Sequence, residues 1–443
     1  MKKILILLCA TASVWLGAQQ QKTLTLKEAI NYALENKSEA EKAALEIEKS
    51  EYKIKEVRAN ALPNVSVSGG LTYNPLLQEV IFPSFTNPNE NMKISLGQPW
   101  NSNVNATLTQ VLFNQSVFTG LKAARSTKEF YMLNKELTDE QIIEKVAHAY
   151  FQVYQTQQKL NNLESNLALT EKTVKVIQGQ FEAGLARKID LDRANVTLNN
   201  LKSSQQQLVN AVQIAQNALK FMVGLSMDTQ IQLPEDTFAP SILALNEQAD
   251  LSKRTEVQVI EKQLELLEWQ KKANQAEYYP SAALVANYGW LGQGKKMPWW
   301  HGEEDKVYWS DLASIGLNVK IPIFNGFSIK SKVKQSEIDI LSAKAGLKDT
   351  KLALEMAYKN ATEQMKNTAI SIDVQQENVK LAENVLTNTQ NNYQYGLATL
   401  TDLLDSERAL ADAKNNLTNA KLDYKLAEIE YLKAQGNLKS LIK

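Results

Sequence analysis

GLARKIDL at residues 184–191 and GLATLTDL at residues 396–403 are one glycine-led octet written twice, 212 positions apart. Each follows a long stretch without proline; from Asn114 to Ala183 there is none. Roughly 70 residues of continuous helix would extend about 105 Å. Glycine tolerates positive φ and so ends such a helix. Asp190 and Asp402 then fall in the first turn of a second helix, where a carboxylate favours the positive end of the helix dipole. The octets therefore predict helix–glycine–helix, twice.

The register downstream of the octets is shared. Leu191, Leu198, Leu201, Leu208, Val212, Ala215, Leu219 and Met222 map by +212 onto Leu403, Leu410, Ala413, Ala420, Tyr424, Ala427, Tyr431 and Ala434. In the second copy, Leu410, Ala413, Leu417, Ala420, Tyr424, Ala427, Tyr431 and Ala434 alternate spacings of three and four. That is a heptad seam suited to knobs-into-holes packing.

The repeat continues upstream. Thr25-Leu26-Lys27-Glu28 is a capping box that opens a helix to about Ala61, ended by Pro63. "NVSVSGGLTYN" (64–74) alternates apolar and polar residues, a loop occupies 75–101, and "NVNATLTQVLF" (103–113) alternates again. Val104, Ala106, Leu108 and Leu112 share one face; Asn103, Asn105, Thr107 and Thr109 share the other. After a connector at 224–246, the order restarts. A helix at 247–277 ends at Pro280, and "SAALVANYGW" (281–290) and "WSDLASIGLNVKI" (309–321) alternate. Between them, a loop carries Trp299 and Trp300. Phe324-Asn325 opens the next long helix as Phe113-Asn114 opened the first. The expected organisation is a leader at 1–18, repeats at 19–223 and 247–436, the connector between them, and a tail at 437–443.

Composition narrows the function classes. The 443 residues hold 49 basic and 49 acidic side chains, so nothing points to nucleic acid. Gly 17 and Pro 10 are few for this length, as long helices require. "MKKILILLCATASVWLGAQQQ" reads as a secretory signal with cleavage near Ala18. Cys9, the only cysteine, lies inside that leader, so the mature chain is expected to have no thiol chemistry. His148 and His301 are the only histidines. No carboxylates converge outside the octets and no phosphate-binding loop occurs, so neither a metal, a cofactor nor a catalytic constellation is expected.

No later segment has about 18 consecutive apolar residues, so only strands could cross a membrane. Four strands of about ten residues have the right length, and Tyr288, Trp290 and Trp309 lie at strand ends where an aromatic girdle sits. Four strands cannot close on themselves, and open edges cannot face lipid, so several chains must pool theirs. A small sheet packed on helices is the plainer alternative.

The layout resembles the TolC-type outer-membrane efflux family over essentially the whole mature chain. The matching motifs are "TLKEAINYALENKSE", "ANALPNVSVSGGLTY", the "LF-N" strand-to-helix joint and "YQYGLATLTDLLDSERAL". The resemblance implies a mainly helical homotrimer. A 12-stranded β-barrel in outer-membrane lipid would join a 12-helix α-barrel about 100 Å long in the periplasm. Each octet becomes the turn of a helical hairpin at the periplasmic tip.

The implied job is the passive exit duct of a tripartite efflux or type I secretion system. A periplasmic adaptor would dock at the tips, residues 181–190 and 393–402, on Gly184, Leu185, Arg187, Lys188, Gly396 and Leu397. It would link the duct to an inner-membrane transporter that supplies the energy. Asp402 and Asp405 match the family's inward-facing carboxylate rings at a closed entrance, where mutual repulsion should raise their pKa. Helix capping is their plainer role. Tyr393 matches a tyrosine that hydrogen-bonds an aspartate of the first hairpin, here Asp190; packing at a helix end is its plainer role. Two residues after the tip glycine, the family's best-described members carry an arginine, but here stand Ala398 and, in the first copy, Ala186; Arg187 is nearest. A non-conducting trimeric stalk or adhesin would explain the heptads but not the repeated strand pairs.

Overall fold

The computed structural model describes residues 22–83, 91–234 and 250–442. The expected leader at 1–18 and positions 235–246 of the connector lie outside them. The described residues open with a short strand β1 (Lys22–Thr23) and helix α1 (Leu26–Asn36). Thr25 caps α1 as its sequence demands: its Oγ1 accepts from the Glu28 amide at 3.2 Å, and the Glu28 carboxylate accepts from the Thr25 amide at 2.9 Å. The predicted single helix to Ala61 is instead broken at Lys37, where the backbone turns extended and α2 (Ser38–Ala59) takes over. The cause is a distant contact. Lys37 donates to the Phe221 carbonyl at 2.8 Å and lies 3.8 Å from the centre of its ring. The Asn36 carbonyl sits where a Cβ on Gly224 would meet it at 3.3 Å. Gly224 also has φ +84, so only glycine fits there comfortably.

Next come β2 (Asn64–Tyr73), β3 (Gln78–Pro83), β4 (Asn91–Leu96) and β5 (Trp100–Asn114). The expected loop at 75–101 thus contains an antiparallel hairpin, β3 with β4. Helices α3 (Gln115–Glu182) and α4 (Lys188–Val223) follow, then strand β6 (Ile231–Gln232) and helix α5 (Thr255–Ala276). Strands β7 (Ser281–Gly294) and β8 (Val307–Lys320) precede α6 (Ser328–Gln394) and α7 (Leu400–Ala434). Among the described residues no helix is long and apolar enough to cross a membrane.

The chain divides into two compact units, each assembled from separated segments. One comprises Ile47–Phe130 and Lys262–Lys344 and holds an antiparallel sheet of order β2-β5-β7-β8. Its register sets Val65 against Leu108, Leu108 against Ala286, and Ala286 against Ile315. Opposed residues in a ladder share a face, so one face carries Val65, Leu108, Ala286, Ile315, and likewise Leu284 and Leu317. The other carries Asn105, Thr107, Asn287 and Ser314, where Thr107 donates to Asn287 at 2.9 Å. Val65, Val67, Ile315 and Leu317 are all exposed within this chain, and an apolar patch of that kind calls for a covering medium. Among the described residues the edge strands β2 and β8 each have a single ladder neighbour. The expected face of β5 needs one correction. A bulge between Val111 and Phe113 shifts the register, so Phe113 pairs with Ala282 and Leu112 loses the place the alternation gave it.

The other unit comprises the described parts of Met1–Glu46, Tyr131–Glu261 and Ala345–Lys443. Strands β1 and β6 pair in parallel. Beneath them lies a core of Leu24, Ile30, Ile143, Val146, Tyr150, Leu219, Val223 and Ile429. The Tyr150 hydroxyl donates to the Leu24 carbonyl at 3.1 Å, which keeps this buried polar atom satisfied. The heptad seam of α7 packs on α6 from Leu417 onward. Ala420, Tyr424 and Ala427 meet Met365 and Ile372, while Tyr431 and Ala434 meet Tyr358 and Ala361. The small residues admit the neighbouring rings, and Tyr358 stacks on Tyr431 with centroids 6.0 Å apart.

Candidate functional site

Both octets fold alike. The amide of Leu185 donates to the Gln180 carbonyl at 2.7 Å, and that of Leu397 to the Asn392 carbonyl at 2.8 Å. Each is the long bond of a Schellman cap, with the glycine in the left-handed region: Gly184 at φ +77 and Gly396 at φ +75. Among the described residues, chain neighbours aside, no atom lies within 4 Å of where a Cβ would stand on either glycine. Backbone conformation, and not crowding, requires them. The turns leave Leu185 and Leu397 about four-fifths exposed.

After the turns the two copies diverge. In the second, Thr399 caps α7: its Oγ1 accepts from the Asp402 amide at 3.2 Å, and the Asp402 carboxylate accepts from the Thr399 amide at 2.8 Å. These bonds to Thr399 hold the Asp402 carboxyl below its usual range. Within one chain, then, Asp402 fills the capping role, and its shift is opposite to the rise that like-charged neighbours would cause. In the first copy the equivalent cap position is Arg187, which has no side-chain cap bond. Arg187 instead makes a two-pronged pair with Asp190, at 2.9 and 3.1 Å. That hydrogen bond is the main cause of the lowered Asp190 pKa. Lys188 is exposed and 3.8 Å from Asp192. Asp405 is exposed.

The link expected between Tyr393 and Asp190 is replaced. The Tyr393 hydroxyl donates to Gln180 Oε1 at 3.2 Å, while Arg187 pairs with the Asp190 carboxylate. Tyr393 still joins the hairpins, packing with Val174, Ile177, Ala194 and Leu400 at the tip core. Burial first, and the charge of Asp190 second, raise its pKa. A second bridge was not legible in the sequence: Arg193 on α4 donates to Thr401 Oγ1 on α7 at 2.7 Å. It supplies an arginine between the hairpins although Ala398 stands at the family's arginine position.

Glu407 is the other residue that sequence reasoning missed. It is 3% exposed and accepts from Thr173 at 2.8 Å and Thr170 at 3.1 Å, joining α7 to α3. Burial is the main influence on it and pushes its pKa up, against the two hydroxyl donors. A carboxyl with a raised folded-state pKa adds stability below its unfolded pKa and loses it as pH rises through the folded value. Acidification should therefore tighten this level of the α3–α7 contact. Glu407→Gln keeps an acceptor for the threonines and removes the charge. We expect its melting temperature at neutral pH to exceed that of the wild type by about 2 °C or more. The gap should close on acidification; calorimetry across pH would check both.

Membrane-length strands in an open, one-sided sheet, with long helical hairpins in the other unit, define an outer-membrane channel architecture. The profile of the "Outer membrane efflux protein" family matches residues 29–225 and 248–437. The chain belongs to that family and is an outer-membrane protein. It is 24% identical to the outer membrane protein TolC of Vibrio cholerae over 430 residues, covering 93% of this chain and 91% of that protein. It is 22% identical to the probable efflux pump outer membrane protein TtgC of Pseudomonas putida, covering 93% and 82%. The crystal structure of the outer membrane protein VceC from Vibrio cholerae superposes with a TM-score of 0.72 at 19% identity, covering 93% of this chain and 96% of that one. The open state of the MtrE channel of Neisseria gonorrhoeae gives 0.71 at 18%, covering 94% and 90%.

Proposed function

We propose that three copies of this chain pool their sheets into a 12-stranded barrel in the outer membrane and their hairpins into a 12-helix periplasmic tube. The observation that carries this reading is the sheet of β2, β5, β7 and β8, with one apolar face and, among the described residues, an open edge on either side. Edges of that kind are tolerated in lipid only when another strand closes them. The polar face, with Asn105, Thr107, Asn287 and Ser314, then lines a wet lumen. The trimer is a passive exit duct for an efflux or type I secretion system. The division into repeats at 19–223 and 247–436, the connector at 224–246, the tail at 437–443 and a cleaved leader at 1–18 belongs to the same reading.

The tips are both gate and dock. Asp402 and Asp405 from three chains narrow the entrance, and Tyr393, Gln180, Arg193 and Thr401 hold the two hairpins of each chain together. The exposed Leu185 and Leu397, with Arg187 and Lys188 beside them, meet a periplasmic adaptor that couples the duct to an inner-membrane transporter. The duct itself does no chemistry.

Single-channel recording of the purified trimer in a planar bilayer tests this. Small, cation-selective steps are expected. A folded, inserted trimer that carries no current would overturn the duct and leave a stalk.

A further inference from the structure

Residues that the sequence leaves far apart converge on one rim of the core beneath β1 and β6. Glu144 and His148 are one helical turn apart on α3, so both side chains project on the same side. Glu430 on α7 faces them. One oxygen from each carboxylate and one ring nitrogen of His148 all lie within 4.8 Å of one another. The packing around them is firm. Ile143, Val146 and Ala147 on α3 and Ile429 and Leu432 on α7 are buried in the same core cluster. The backbones carrying the three ligands are therefore already placed, as a metal centre requires.

His148 Nε2 is the telling atom. Among the described residues it is buried and makes no hydrogen bond of normal length, while the rest of the side chain is 38% exposed. It points at Glu430 Oε1 from 3.5 Å, too far for a good hydrogen bond. That separation does match the edge of a tetrahedron around a zinc ion, about 3.4 Å for bonds of about 2.0–2.2 Å. The two carboxylates are otherwise neutralised by Lys433, whose ammonium lies 2.7 Å from Glu144 and 3.7 Å from Glu430.

We propose that Glu144, His148 and Glu430 form a binding site for a zinc-class divalent ion, which displaces the Lys433 ammonium and clamps α3 to α7. One imidazole and two carboxylates suit such an ion, and three protein ligands leave a fourth position for water. Lys433 acts as the resident counter-ion and competes with the metal. The site stands apart from the tip and from the sheet, and it does not depend on the duct reading.

Titration calorimetry of the untagged, chelator-treated full-length protein with zinc ion alone tests the site. One ion per chain is expected. His148→Ala and Glu430→Gln should each weaken binding about tenfold or more, since even outer-shell changes at metal sites reach that size. Lys433→Met should tighten binding, an outcome that a merely unfolded variant cannot produce. His301→Ala, which alters the only other histidine, should leave it unchanged. No binding to the wild type, or binding that survives His148→Ala, or no tightening in Lys433→Met, would overturn the proposal.

Discussion

Asp402→Ala combined with Asp405→Ala is expected to raise the single-channel conductance several-fold and to weaken cation selectivity. Asp402 is ionised firmly within one chain because Thr399 donates to it through both backbone and hydroxyl. Three such chains would place three fixed negative charges at the end of α7 and three more one turn further on, at the exposed Asp405. Charged rings at a constriction select cations and slow their passage by binding them. Removing them lowers both effects.

Alanine at position 402 also deletes the cap, so a conservative pair separates the causes. Asp402→Asn with Asp405→Asn leaves an amide oxygen to accept from Thr399 but removes the charge. If the rings act by electrostatics, selectivity falls in both pairs. If the cap holds the turn shut, only the alanine pair gains the full conductance. Conductance unchanged in the alanine pair would move the gate away from these residues.

How much of this was legible depends on distance along the chain. The octets announced both turns, because a single φ requirement at Gly184 and Gly396 is local. The four strands were legible from alternation, since apolar residues gather on one face and polar residues on the other. The hairpin of β3 and β4 was not, because its strands are short and set in a segment rich in Asn, Pro and Phe. The bulge at 111–113 depends on β7, and the break at Lys37 depends on Phe221 and Gly224. The tip contacts follow the same rule. Capping was foreseen for Asp402 only as its plainer role, without Thr399 as the partner. Tyr393 with Gln180, Arg193 with Thr401 and Glu407 with Thr170 and Thr173 join positions more than 200 apart. No periodicity in one helix encodes its partner's polar groups.

Ile315→Arg is expected to abolish assembly in the outer membrane, whereas Asn318→Arg is expected to be tolerated. The two sites lie three residues apart on β8, hence on opposite faces. Ile315 pairs with Ala286, which pairs with Leu108 and through it Val65, so it sits in the middle of the apolar band. It is 81% exposed in the single chain, so an arginine there clashes with nothing and its cost comes from the medium alone. At the midplane of a bilayer that cost is about 2–4 kcal/mol per chain, and a closed trimer carries it three times. Asn318 pairs with Ala283 on the opposite face, which in the proposed barrel lines the lumen, where a cation would stay hydrated. Heat-resistant trimer in the outer-membrane fraction would report the difference. Equal loss in both variants would mean that the sheet is buried against protein, and equal tolerance would mean that its apolar face meets water; either result contradicts a lipid-facing barrel.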